Sequence, residues 1–226
     1  FLEARLGKTV MQHKIYAYIS DGGIEEEISQ GAGRLAGLLG LNNLIMFYDS
    51  NDIQLSTECK VVIQEDTKAK YEAWGWNVIT INGNDVEEIR HALDMANLEQ
   101  HRPTLIIGKT IMGKGALKED GSSYENTIKT HGAPLGGNAY RNTVTALGGN
   151  PDDPFVIFDE VKVLYANRAN ELRTIVAERR NAEKKWAEEN PDKAQLKDTW
   201  FSGNAPQIDW SGLIQKPDIA TRAASA

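Results

Sequence analysis

Two rhythms of apolar positions run along the chain. Apolar runs at residues 15–19, 44–48 and 103–108, and an alternating β-rich run at 76–81, each have the length of one strand. Between the first two, Ile28, Ala32, Leu35 and Leu39 recur at steps of four, three and four, which predicts a helix burying that face. Glu25, Glu26 and Glu27 fall in its first turn, where negative charge complements the helix dipole. Gly31, Gly33, Ala36 and Gly37 make the same helix small-sided, which lowers helix propensity but allows close packing. Residues 57–62 predict a loop or short extended piece, and 66–74 a short helix stopped by Gly75. Val86, Ile89, Leu93 and Ala96 predict one more buried helix face, capped by Asn84 or Asp85. Strands separated by helices of this length predict an α/β fold with a doubly wound, mostly parallel sheet.

Past the fourth strand the rhythm is lost. Residues 111–138 are crowded with glycine and predict a long functional or mobile loop. Residues 156–190 read as a helix in which Val161, Val163, Leu164, Leu172 and Val176 sit among dense charges. Its part at 178–185 is almost wholly polar, which predicts a solvated outer face. Residues 203–217 predict a linker with Trp210 as a packing anchor. The expected organisation is therefore one α/β domain at 1–150, then a helical extension and linker at 151–226.

Composition narrows the function more than the fold. With 226 residues, 41% hydrophobic and 25% charged, the chain can bury a full core as an ordinary soluble protein. No apolar run approaches membrane-spanning length, and the first residues do not form a signal peptide. The single cysteine, Cys59, cannot pair internally, which favours a reducing, cytoplasmic setting. A net charge of −7 argues against nucleic acid as principal partner.

The chemistry concentrates where the first two strands end. Asp21 follows one apolar run and Asn51 the other, and a right-handed crossover would bring them side by side at the carboxyl ends of two parallel strands. A carboxylate and an amide oxygen are hard donors, suited to Mg²⁺ or Ca²⁺ and not to zinc or copper. Gly22-Gly23, leading into a helix, lets backbone N–H groups approach an anion. Metal ligands beside an anion hole describe a diphosphate site. Taken alone, Asp21 could equally be a helix N-cap. The run Gly31-Ala32-Gly33 lies too far past the strand to be a dinucleotide fingerprint.

The wider text resembles a known family. An Asp-Gly, a helix and strand, and an Asn thirty residues on are the signature of thiamine-diphosphate enzymes. The stretches Glu26-Glu27-Ile28-Ser29, Leu35-Ala36-Gly37, Phe47-Tyr48-Asp49-Ser50-Asn51-Asp52-Ile53, Lys70-Tyr71-Glu72-Ala73-Trp74-Gly75-Trp76 and Thr130-His131-Gly132-Ala133-Pro134-Leu135-Gly136 together resemble transketolase. The likeness runs from about residue 14 to about 135 and more weakly beyond. The resemblance implies a doubly wound diphosphate-binding domain and a divalent ion held by Asp21, Asn51 and the Ile53 carbonyl. It also implies Gly22 at the diphosphate and Leu55 beneath the thiazolium ring, where the plainer reading is a loop leucine covering the core. His131 would lie beside the diphosphate and the donor sugar, acting as a hydrogen-bond donor with a tunable proton; in isolation it would read as an exposed loop histidine. Glu26 matches an interface glutamate, or is simply helix charge. Ser20 and Asp52 depart from the family, which has glycine at both places; Asp tolerates positive φ better than most residues.

The implied activity is transfer of a two-carbon ketol unit between sugar phosphates, in the pentose phosphate pathway, by a homodimer using thiamine diphosphate and Mg²⁺ or Ca²⁺. The chain starts without Met, inside an apparent amphipathic helix (Leu2, Leu6), and its last residues resemble the entry to a second domain. It is therefore expected to be an excised piece, inactive alone. The alternatives are a deoxyxylulose-phosphate synthase, a ketoacid dehydrogenase component, or a non-catalytic packing or dimerisation module.

Overall fold

A computed structural model of the chain describes residues 1–205 together with Gln207, Asp209, Ser211 and Ala220. Trp210 and most of the expected linker lie outside the described residues. In chain order the elements are α1 (Leu2–Leu6), α2 (Lys8–Met11), β1 (Ile15–Ser20), α3 (Asp21–Glu25), α4 (Glu27–Leu38), β2 (Leu44–Ser50) and a 3-10 turn at Cys59–Val61. There follow α5 (Thr67–Ala73), β3 (Asn77–Asn82), α6 (Val86–Leu98), β4 (Thr104–Lys109), α7 (Ile128–Gly132), α8 (Gly137–Ala146), α9 (Asp159–Glu189) and α10 (Pro191–Phe201).

The four strands form one parallel sheet in the order β1-β2-β4-β3. From β1 through β2 to β3 the chain advances across the sheet by way of α3, α4 and α5; α6 carries it back to β4. Right-handed crossovers in opposite directions put their helices on opposite faces. One face accordingly buries Ile24, Ala36, Tyr48, Tyr71, Trp76, Leu105 and Ile107 under α3, α4 and α5. The other buries Ile45 and Ile106 against Ala92 and Ala96 of α6. The sheet is doubly wound, as the strand and helix spacing predicts. β4 lies between two neighbours and is buried at every position up to Gly108, which is why its sequence is a continuous apolar run.

Two helix faces differ from the sequence reading. α4 does not bury Ile28, Ala32, Leu35 and Leu39: all four are exposed, Ile28 at 82%. It turns Gly33 and Ala36 inward. Close approach decides the orientation, because Trp76 Nε1 donates to the Gly33 carbonyl at 2.7 Å and a Cβ on Gly37 would stand 1.9 Å from the Trp74 carbonyl oxygen. The helix is also interrupted: Glu26, at ψ 130°, separates α3 from α4, so only Glu27 lies in the first turn of α4. On α6, Asp85 is the cap, accepting from the N–H groups of Glu87 and Glu88, but Val86 is exposed and Ala92 takes a buried place. α5 follows the sequence closely, capped by Asp66 and ended before Gly75, whose φ is +87°.

The glycine-rich stretch 111–138 holds more order than a long loop. It contains α7, an isolated antiparallel bridge between Leu117 and Ser123, and a hydrogen bond from Gly115 N–H to the Glu125 carboxylate at 2.7 Å. The elements from β1 to α8 belong to one compact unit, His13–Ala166; Phe1–Gln12 and the described residues from Asn167 onward form a second. The core of the second is Leu6, Met11 and Trp186, with Leu2, Ala194 and Leu196 packed on it. α10 went unread in the sequence although Pro191 at its first turn marks a helix start. Among the described residues no helix is long and apolar enough to cross a membrane.

Tyr71 yields a stability prediction. It is fully buried, its ring is 5.2 Å from that of Trp76 and edge-on to it, yet its hydroxyl has no hydrogen-bond partner among the described residues. A buried hydroxyl without a partner costs about 1–3 kcal/mol. Tyr71→Phe is therefore expected to leave stability unchanged or raise it by up to about 1 kcal/mol after the small void is counted, whereas Tyr71→Ala loses about 3–5 kcal/mol. Urea unfolding of the two variants measures both.

Candidate functional site

The parallel register pairs Ser20 with Asp49, so β1 and β2 end side by side. Asp21 is the next residue on one strand and Asn51 lies just past the end of the other. Asp21 is only 2% exposed, and its carboxylate bonds to the β2 strand and the turn after it. Oδ2 accepts from the backbone N–H groups of Asn51 at 3.0 Å and Asp52 at 3.1 Å, and Oδ1 accepts from the Tyr48 hydroxyl at 2.5 Å. Asn51 Oδ1 in turn accepts from the Ile53 N–H at 3.1 Å. The chain thus brings Asp21, Asn51 and Ile53 into one hydrogen-bonded group at the carboxyl end of the sheet.

The oxygens with room for a cation are Asp21 Oδ1 and Asn51 Oδ1, because two backbone donors fill Asp21 Oδ2. Oxygen donors of this kind suit a hard divalent ion. Burial, reinforced by Asp21, pushes the Cys59 thiol nearby up to about 11. Asp49 is turned away, its carboxylate taken by the Tyr18 hydroxyl at 2.6 Å and by the Thr110 hydroxyl. Beside Asp21, a Cβ on Gly22 would meet nothing within 4 Å, so the backbone there borders open space. α3 has only five residues, and its dipole adds little to the field at that point.

Two cavities flank the strand tips. One, of about 400 Å³, is lined by Tyr48, Asp52, Cys59 and Lys109 among others; the second, of about 500 Å³, by Tyr18, Asn51, Asn84 and Thr110 among others. The turn after β2 folds back on itself: Gln54 N–H donates to the Thr57 carbonyl at 2.8 Å, and Ile53 bridges to Glu58. Leu55 stands at its tip, 70% exposed, close enough that a Cβ on Gly132 would lie 3.2 Å from its Cδ1. His131, exposed on α7, precedes Gly132 in the chain. Glu26 is exposed at the break between α3 and α4.

Sequence reasoning missed the part of Tyr48. It reads as one more apolar strand residue, and its hydroxyl could be assigned to Asp21 only once the register was known. Burial, then the Asp21 carboxylate, drive its phenol well above its usual range, so it remains a donor.

Asp52 occupies the left-handed region at φ +66°. Lys109 Nζ donates to its carboxylate at 3.0 Å and to Ser50 Oγ at 2.8 Å. Both partners of the ion pair are more than half exposed, which limits its value to below about 1 kcal/mol. The left-handed conformation costs a non-glycine residue about 1–2 kcal/mol, somewhat less for Asp. Asp52→Gly is accordingly expected to change stability by less than about 1 kcal/mol, and Asp52→Val to destabilise by about 1–2 kcal/mol. Thermal melts of the pair check the sign.

A family model described as "Transketolase, thiamine diphosphate binding domain" matches residues 3–206. The chain is 32% identical over 236 residues to a transketolase of Mycobacterium leprae, covering 99% of the chain and 32% of that protein. It is 36% identical over 206 residues to a transketolase of Staphylococcus aureus, covering 89% of the chain and 30% of that protein. Among solved structures, transketolase from Leishmania mexicana superposes with a TM-score of 0.82 at 28% identity over 91% of this chain and 31% of that one. The Campylobacter jejuni transketolase gives 0.75 at 33% identity over 93% and 32%. The chain spans about a third of the length of the curated relatives it matches.

Proposed function

The chain belongs to the transketolase thiamine diphosphate binding domain family, and on that premise we propose that its strand-tip site holds the diphosphate end of the cofactor through a divalent cation. The observation that carries the proposal is the Asp21–Asn51 junction, where a buried carboxylate fixes the turn that presents a second oxygen donor. Asp21 Oδ1, Asn51 Oδ1 and the Ile53 carbonyl supply the protein ligands. Mg²⁺ suits them because it shares its octahedral shell between a few protein oxygens and phosphate; Ca²⁺ fits the same donor set. Gly22 leaves backbone open beside them for the diphosphate.

Leu55 forms the apolar surface for the thiazolium ring, and His131 donates a hydrogen bond near the reacting end. When bound, thiamine diphosphate supplies the nucleophilic carbon and electron sink for ketol transfer. The protein groups position, neutralise charge and exclude water. Exposed Ile28, Leu35, Leu38 and Leu39 on α4 offer an apolar face for a second subunit, with Glu26 at its edge. The two-carbon transfer between sugar phosphates is assigned to the assembled, homodimeric enzyme, of which this domain is one part. The unpaired Cys59 accords with a cytoplasmic setting.

Calorimetric titration with thiamine diphosphate tests the reading. Saturable binding in Mg²⁺, abolished by a chelator and competed by inorganic diphosphate, is the expected result. Binding indifferent to metal would overturn it.

A further inference from the structure

We propose that Glu25 and Gln54 form a latch that sets the position of Leu55, making Glu25 a positioning residue for the ring end of the cofactor; this rests on the thiamine diphosphate reading above. Glu25 is the last residue of α3, half-buried, and its carboxylate accepts from Gln54 Nε2. Gln54 stands at the base of the turn that carries Leu55, with its N–H closed onto the Thr57 carbonyl. The turn's other bonds, between Ile53 and Glu58 and from Cys59 N–H to the Asp52 carbonyl, lie within the loop itself. Asp21 holds the loop at its root, at Asn51 and Asp52, and shares a side-chain hydrogen bond with Cys59 where the loop closes. The Glu25–Gln54 bond is therefore the side-chain tie from α3 to the residue next to Leu55.

The placement of Glu25 is electrostatically costly, which argues against a role in stability alone. Burial pushes its carboxyl upward, and Asp21 and Glu26 add to the rise, while the Gln54 bond and the Lys70 charge oppose it. The group is braced from behind: Gln30 Nε2 donates to the Glu25 backbone carbonyl at 3.0 Å, and Lys70 Nζ donates to Gln30 Oε1 at 3.4 Å. α3, α4 and α5 thus share one polar chain that ends on Gln54. Losing the latch would let the Leu55 tip swing while the Asp21–Asn51 root stayed in place.

This divides the site into two ends that can be read separately. Inorganic diphosphate with Mg²⁺ reports on the root alone, and thiamine diphosphate with Mg²⁺ reports on root and tip together. Glu25→Ala in the full chain is expected to weaken thiamine diphosphate about tenfold, the scale for loss of an outer supporting partner, while inorganic diphosphate binds as in the wild type. Gln54→Ala should match it, the double variant should be no worse than either single, and Glu25→Gln, which keeps an acceptor for Gln54, should restore affinity. Unchanged thiamine diphosphate affinity in Glu25→Ala overturns the latch, as does an equal loss for both ligands. Wild-type chain that takes up neither ligand overturns the cofactor reading itself, and the latch with it.

Discussion

Asp21→Asn is expected to fold normally and lose metal-dependent cofactor binding, whereas Asp21→Ala loses stability as well. The difference follows from the three donors that surround the carboxylate. The amide oxygen of asparagine can take the place of Oδ2 and keep the bonds from Asn51 N–H and Asp52 N–H, now at 3.0 and 3.1 Å. Its NH₂ then faces Tyr48, whose hydroxyl can rotate from donor to acceptor. The turn survives, but the anionic ligand is gone and the place of Oδ1, which had room for a cation, carries N–H groups. Affinity for thiamine diphosphate in Mg²⁺ should fall by more than the roughly 10–100-fold that loss of even an outer partner costs. Alanine leaves a buried hydroxyl and two backbone donors unpaired, at about 1–3 kcal/mol for each group that water cannot reach. Calorimetry and urea unfolding on both variants separate the effects, and an Asp21→Asn chain that still binds in a metal-dependent way would remove Asp21 from the ligand set.

Gly37→Ala should be among the most destabilising substitutions of a glycine in the molecule. The added Cβ would lie 1.9 Å from the Trp74 carbonyl oxygen, 2.9 Å from its carbon and 3.2 Å from Trp76 Cδ1. Trp74 closes the end of α5 and its backbone cannot yield as a flexible side chain could. α4 would have to lift away by about 1 Å or more, straining the 2.7 Å bond from Trp76 Nε1 to Gly33 in the same helix. Overpacking of this kind costs about 1–3 kcal/mol and occasionally more, against about 1 kcal/mol gained in helix propensity. A net loss near 2 kcal/mol is expected. Gly31→Ala is the internal control: it is in the same helix with nothing within 4 Å of the new Cβ, so it should stabilise by about 0.5–1 kcal/mol. Were the two variants equally stable, the small face of α4 would not be what packs on α5.

That helix also marks how far the sequence could be read. The apolar residues Ile28, Leu35 and Leu39 keep a helical period, and period identifies a helix correctly. Period does not say which side is buried when one face is large and apolar and another is small. Here backbone approach won, because the aromatic side chains of Tyr71, Trp74 and Trp76 fill the space a larger side chain would need. The strands were easier, since their burial follows from β-rich runs and from the parallel sheet that helices on both faces require.

The order of the apolar runs, the Asp21-to-Asn51 spacing, and a cap of α6 at Asn84 or Asp85 were determined by the sequence alone, because each depends on residues close in the chain or on a crossover with one allowed hand. Tertiary structure alone decided the pairing of Tyr48 with Asp21, the tie from Glu25 to Gln54, the meeting of Leu55 with Gly132 and the inward turn of Gly33. Those contacts join residues whose separation along the chain carries no period, and only strand register and close backbone packing bring them together.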